Sequence, residues 1–254
     1  PELNGILALN AAALDEARAR DAERRAGRVR GPLHGIPLLV KDNIDVAGLP
    51  TTAGALALAA SFPPDDAHLV RRLRAGGAVI LGKTTLTEFA NFLTNGMPSG
   101  YHSLSGFGFN PYDPRPAPSG DGRPVLTPGG SSSGTGIAIA ASLAAAGVGT
   151  ETSGSILSPA SSNGLVGLKP TLGLISRDGI LPITADQDTP GPIARTVTDA
   201  AIMLGVLEGA APDSNDPATA RCRGGDAASI RTGGSESPRY KPDALKGARI
   251  GIPR

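Results

Sequence analysis

Apolar residues in this chain fall into short runs set between charged, glycine-rich and proline-rich stretches, and their spacing predicts alternating helices and strands. Asn10 is placed to cap a surface helix running through Ala26, with Glu16 and Arg20, and Asp21 and Arg25, spaced as i,i+4 pairs and Gly27 as the stop. Ile36 to Lys41 reads as a strand in which Lys41 shares a face with Leu39 and Pro37. A helix from Asp65 to Arg74, a strand from Ala78 to Leu81 and a helix around Leu86 to Leu93 follow. The stretch from Thr94 to Gly130 is a long loop whose Met97, Tyr101, Phe107, Phe109 and Tyr112 predict a pocket wall. Ile137 to Gly149 carries no charge and reads as a central helix with Ser131 as its N-cap, its small residues suited to lying close against a sheet. That run is shorter than the ~20 apolar residues a membrane span needs. Leu165 to Leu168 and Leu172 to Ile175 are short strand candidates, and Thr196 to Leu207 is a helix capped by Thr196. The polar stretch 210–242 reads as a surface excursion or linker, and Arg249 to Ile252 as a last strand. The alternation predicts an α/β fold, a sheet flanked by helices.

Composition narrows the functional classes. With 254 residues, 40% of them hydrophobic, the chain can bury a real core. The 24 basic and 23 acidic residues are interspersed and leave a net charge of +1, so no basic stripe follows a phosphate backbone. Neither nucleic acid nor a membrane is expected as a partner. Cys222 is the only cysteine, which excludes an intramolecular disulfide and points to a reducing, cytoplasmic compartment. Gly77 to Thr84 matches the phosphate-loop pattern GxxxxGK[ST], but its variable positions form the predicted strand instead of a loop of exposed amides. His34, His68 and His102 have no metal-site spacing, so no metal or cofactor is expected.

What remains is serine chemistry. Gly130-Ser131-Ser132-Ser133-Gly134 matches the GxSxG nucleophile elbow and makes Ser132 a rival nucleophile, but that architecture takes its histidine from downstream, and all three histidines lie upstream. With histidine excluded, the remaining base for a serine is a neutral amine. Lys41 is the candidate, because burial disfavours the ammonium and can bring its pKa from ~10.4 toward ~7–8. The serine clusters at 131–133 and 153–155 then divide two tasks, one relaying a proton and one attacking.

Taken in chain order, GPLHGIP at 31–37 running into Lys41-Asp42-Asn43, LGKTTLTEFAN at 81–91, PGGSSSG at 128–134, GTETSGSI at 149–156 and GLKPT at 167–171 resemble the amidase signature family over most of 30–207. The resemblance implies a mixed β-sheet flanked by helices in a single domain, 1–254. It also implies hydrolysis or transfer of an amide through an acyl-enzyme with a Ser-cisSer-Lys triad. It places the lysine on Lys41, the bridging serine, in a cis peptide, on Ser131, the nucleophile on Ser155, and the oxyanion-binding amides on Thr152, Ser153, Gly154 and Ser155. Many members read GTDxGGSxR, where this chain has Glu151, Ser153 and Leu157 in place of the aspartate, the first paired glycine and the arginine. The GTETxGSIxSPA form and the loop at 96–114 look closest to the peptide amidase branch, which releases ammonia from C-terminal carboxamides. A glutamine-amidase subunit of a tRNA amidotransferase and a catalytically silent module on the same scaffold are the competing readings. The implied partner is a small-molecule or peptide amide substrate, with a homodimer as the assembly allowed. Members of the family continue further, so sheet and pocket are expected to be incomplete at both chain ends, leaving the isolated chain poorly soluble or weakly active.

Overall fold

The run Pro37 to Lys41 becomes the strand about which everything else is arranged, and its Leu38, Leu39, Val40 and Lys41 are all fully buried. A strand covered on both faces needs a continuous apolar run rather than an alternating one. The structure, a computed structural model, describes residues 2–93, 95–208 and 211–223, with Lys246, Gly247 and Arg249. In chain order its elements begin with β1 (Ile6–Leu9), α1 (Ala13–Arg25), β2 (Pro37–Lys41), α2 (His68–Ala75) and β3 (Val79–Thr84). They continue with the small hairpin β4 (Tyr101–His102) and β5 (Gly106–Phe107), then α3 (Ser133–Ala140), β6 (Ala146–Glu151) and α4 (Leu157–Ser162). The last are β7 (Val166–Gly167), β8 (Thr189–Ala194) and α5 (Val197–Leu207).

Six strands pair in the order β1-β3-β2-β6-β8-β7. β2 is parallel to both β3 and β6, while β1, β7 and β8 run antiparallel to their neighbours, so the sheet is mixed, as expected. Odd and even residues of β2 face opposite layers. Leu39 packs with Ala138 and Ile139 of α3, and Leu38 and Val40 join Leu69, Val70 and Leu73 of α2 and Met203, Leu204 and Leu207 of α5. The face shared by Leu39 and Lys41 is therefore the one that α3 covers.

α3 reaches the sheet closely because it is made of small residues. A Cβ on Gly134 would come within 2.3 Å of Thr85 Oγ1 and 2.5 Å of the Gly5 carbonyl. Thr135 meets Thr84 hydroxyl to hydroxyl at 2.7 Å. This approach brings the residues just before α3 to the end of β2.

Several expected elements change. The uncharged run 137–149 is not one helix: α3 ends at Ala140, Ser142 turns at φ 58, and Ala146 onward is the buried strand β6. Small apolar residues serve a buried helix and a buried strand alike, so the pattern carried no boundary. Ser131 is not the N-cap of α3, since that position falls to Ser132, whose side chain makes no cap hydrogen bond. The helix expected at 86–93 is only a 3-10 turn, Glu88–Asn91, with positive φ at Phe89, Ala90 and Asn91. Leu172 to Ile175 is a turn rather than a strand. In α1, Glu16 pairs with Arg74, and Arg20 with Glu23, in place of the expected i,i+4 partners. β8, at Thr189–Ala194, was not among the expected elements; its two prolines, Pro190 and Pro192, ordinarily disfavour a strand. The Pro192 carbonyl points to the β7 side, where it accepts from Leu168 N, so the absent proline N–H falls where only a two-residue strand flanks the sheet. α5 begins as expected, with the Thr196 hydroxyl accepting from Asp199 N.

Of the polar stretch 210–242, the described part is docked: Asp216 pairs with Arg177 at 2.6 Å and Asp213 accepts from the Ser176 hydroxyl. The rest of that stretch, and the strand expected at 249–252, lie outside the described residues apart from Arg249. Among the described residues no helix is long and apolar enough to cross a membrane.

The contact of α3 with the sheet yields a prediction. Gly134→Ala forces a methyl into the Thr85 and Gly5 backbones and should cost about 1–3 kcal/mol or more. Thermal unfolding should show a drop of several degrees in Tm, and an unchanged Tm would mean that α3 is not seated so closely.

Candidate active site

Two lysines are buried near the ends of β2 and β3, on opposite faces of the sheet, and their surroundings differ. Lys83 lies 3.1 Å from the buried Asp42 carboxylate and donates to the Pro50 carbonyl and the Thr51 hydroxyl. Asp42 is further held by the backbone N–H and the hydroxyl of Thr52. Lys83 thus has a counter-ion that opposes the downward push of burial on its pKa. Lys41 has none in contact: its Nζ meets Ser131 Oγ at 2.8 Å, Thr150 Oγ1 at 2.9 Å and the Thr150 carbonyl at 3.2 Å, all neutral groups. Burial holds the Lys41 pKa at about 7, against weak opposition from the more distant Asp188 and Glu151. Asp42, next to Lys41 in sequence, faces the other side of β2, where it pairs with Lys83.

Thr150, near the end of β6, is the hub. Its hydroxyl accepts from Asn43 Nδ2, and its carbonyl accepts from the Ser132 hydroxyl, which in turn accepts from Thr150 N. Ser132 is fully buried in this exchange and, unlike Ser155, does not line the cavity. Ser131 follows a cis Gly130-Ser131 peptide, and its carbonyl accepts from Thr87 N. Ser155 is brought alongside by a bond from Ser132 N to the Ser155 carbonyl, and its side chain opens onto a cavity of about 400 Å³. Lys41 and Ser131 are thus directly joined. The hydroxyls of Ser131 and Ser155 make no hydrogen bond to each other among the described residues.

The turn 152–155 is shaped from beneath by Glu151. This buried carboxylate accepts from the amides of Gly154, Ile156 and Leu157 at 2.7–2.9 Å. Gly154 has φ 86, which strains any other residue, and a Cβ there would otherwise meet open space, so conformation alone demands glycine. Because the Gly154 N–H is spent on Glu151, it is not free for a ligand. The amides of Thr152, Ser153 and Ser155 have no protein acceptor among the described residues and remain available.

The cavity wall differs from the expected one. None of Met97, Tyr101, Phe107, Phe109 or Tyr112 lines it; Tyr101 and Phe107 instead pack on each other, 5.0 Å between ring centres. The wall comes from the segment before β8, chiefly Ile180, Leu181, Pro182 and Ile183, with Pro190. Asp188, which sequence reasoning missed, fixes that wall to the turn by accepting from the Thr152 hydroxyl and from the amides of Ile183 and Thr184. Arg177 at the rim is closed by Asp216.

The buried lysine makes stability depend on pH. Between the folded pKa of about 7 and the ordinary 10.5, the unfolded chain holds a proton on Lys41 that the folded chain lacks, so stability rises with pH across that window. Thermal unfolding should show the parent protein gaining stability relative to Lys41→Met on going from about pH 7 to about pH 9. A constant difference would mean that Lys41 keeps its proton in the fold.

The family model described as Amidase matches residues 1–254. The chain is 43% identical over its whole length to an amidase-named protein of Schizosaccharomyces pombe, and spans 41% of that protein. Over 94% of its length it is 42% identical to a glutamyl-tRNA(Gln) amidotransferase subunit from Salinispora arenicola, spanning 42% of it. Its fold superposes on the native peptide amidase from Stenotrophomonas maltophilia with a TM-score of 0.81 and 53% identity, covering 90% of this chain and 44% of that one. The chain thus spans less than half the length of these relatives. Matched by the family model over its whole length and superposing on a peptide amidase at 53% identity, the chain belongs to the amidase signature family.

Proposed function

We propose that this chain carries the hydrolytic centre of an amidase that cleaves a carboxamide C–N bond through an acyl-enzyme on Ser155. The observation that supports it most is the 2.8 Å contact between Ser131 Oγ and a lysine that burial keeps near neutrality. A neutral Lys41 amine accepts the Ser131 proton, and Ser131 Oγ accepts that of Ser155 as Ser155 Oγ attacks the carbonyl carbon. Hydrogen bonds of this kind commonly tighten only when substrate is bound, which accommodates the open link between the two serines. The free amides of the 152–155 turn would take the developing oxyanion. The proton then returns through Ser131 to the leaving nitrogen, ammonia for a primary carboxamide. Water, activated by the same pair, hydrolyses the Ser155 ester and restores the site.

The cavity supports a peptide or other apolar carboxamide over free glutamine. Apolar surface predominates on its walls, and among the described residues its one lining cation, Arg177, is already paired with Asp216, so a free substrate carboxylate finds no unpaired cation there. The second reading, a glutamine-amidase subunit, is favoured by the 42% identity to the Salinispora protein. An ammonia assay over peptide amides, simple apolar carboxamides and glutamine separates the two: apolar amides should turn over fastest, and a clear preference for glutamine would favour the second.

Ser155→Ala should abolish both ammonia release and the covalent intermediate trapped for mass spectrometry. Lys41→Arg should be as inactive, because a guanidinium stays charged. In the parent protein kcat/KM should rise with pH through about 7 as the Lys41 ammonium loses its proton. Full activity of Lys41→Arg would contradict the neutral-amine mechanism.

A further inference from the structure

We infer that Lys169 is a positioning residue for the oxyanion turn, supplying from the far side of that turn the cation that Leu157 cannot. The inference rests on the reading of the 152–155 amides as oxyanion donors. Its starting point is an electrostatic difficulty. Glu151 shapes the turn with three amide bonds and lines the cavity with Ser155, so its buried negative charge lies close to the amides at which a second negative charge would develop. An uncompensated carboxylate there opposes the transition state. Leu157 stands where many relatives have an arginine, and its side chain is half exposed and apolar, so no compensation comes from that position.

Lys169, just after the short strand β7, fills the gap. Its Nζ donates to the Thr152 carbonyl at 2.8 Å and lies 3.9 Å from Glu151 Oε1, the same oxygen that accepts from Gly154 N. Two effects follow. The positive charge offsets Glu151 close to the site of reaction. In addition, the Thr152 carbonyl and the Ser153 N–H belong to one peptide group, so a charged donor on the oxygen polarises that peptide and makes the N–H a stronger donor to an oxyanion. Lys169 itself lines an open groove behind the turn with Ser153, Asp186 and Gln187, and does not line the cavity that holds Ser155. It acts through the turn, without touching substrate there.

The side chain is one-third exposed, so its ion pair contributes little to folding, whereas its effect on developing charge is felt only in the reaction. Stability and turnover should therefore separate. In the full chain, Lys169→Met should keep a near-parent Tm and lower kcat by about 10-fold, less than the ~10²–10³ lost with an oxyanion donor outright, with KM little changed. Lys169→Gln, which keeps a donor but loses the charge, should fall between, and Lys169→Arg should restore most of kcat. If the Met variant fails to fold, the Arg and Gln variants decide: kcat for Arg above Gln supports the inference, and equal values overturn it. A folded Met variant with parent kcat, or one altered in KM alone, also overturns it. Labelling the parent protein with a fluorophosphonate keeps the underlying reading separate: no adduct on Ser155 would refute the site itself, whereas an adduct with a flat Lys169 series would refute only the role of Lys169.

Discussion

Everything at this site depends on burying an amine without giving it a counter-ion. A lysine ammonium is costly to remove from water, and a fold that hides one ordinarily pairs it. The sheet does this for Lys83, through Asp42. It withholds the same from Lys41, one strand over, and offers it only hydroxyl and carbonyl oxygens. Asp42, the carboxylate adjacent in the chain, faces the opposite side of β2 and is engaged there by Lys83, so Lys41 meets only neutral oxygens.

The architecture serves that constraint. Parallel pairing of β2 with β3 and β6 puts Lys41 at the carboxyl ends of three buried strands, where Thr150 of β6 supplies two of its acceptors. The small residues of α3 let the helix settle on the sheet so that Ser131, just ahead of it, supplies the third. Glu151, the next residue of β6, then organises the turn that presents Ser155. Two successive residues of one strand thus hold Lys41 and the turn that carries Ser155 in a common frame.

Much of this was legible in the sequence where a residue contradicted its surroundings. Lys41 ending an apolar strand, and two serine-glycine clusters bracketing an uncharged run, pointed to residues that the fold brings close together, and Thr196 marked the start of α5. Legibility failed where composition was uniform or misleading. Nothing in the alanine- and glycine-rich run at 137–149 told helix from strand, and the break depends on Ser142 entering a left-handed conformation that serine rarely marks. Pro190 and Pro192 ordinarily disfavour a strand, and their tolerance in β8 depends on how short β7 is, which only the assembled sheet decides. Lys83 was missed because the expected strand stopped at Leu81. The cavity wall was assigned to the aromatic loop because large rings attract attention, while the aliphatic residues at 180–183 carried no local signal of facing Ser155.

The charge state of Lys41 is the claim on which the account stands or falls, and it can be read directly. In protein labelled with 15N at lysine Nζ, a pH titration by NMR should show one side-chain amine with a midpoint near 7, shifted far below the exposed lysines and absent from Lys41→Met. If the signal lost in Lys41→Met instead titrates near the ordinary value of 10.5, Lys41 is an ammonium at neutral pH and cannot be the base.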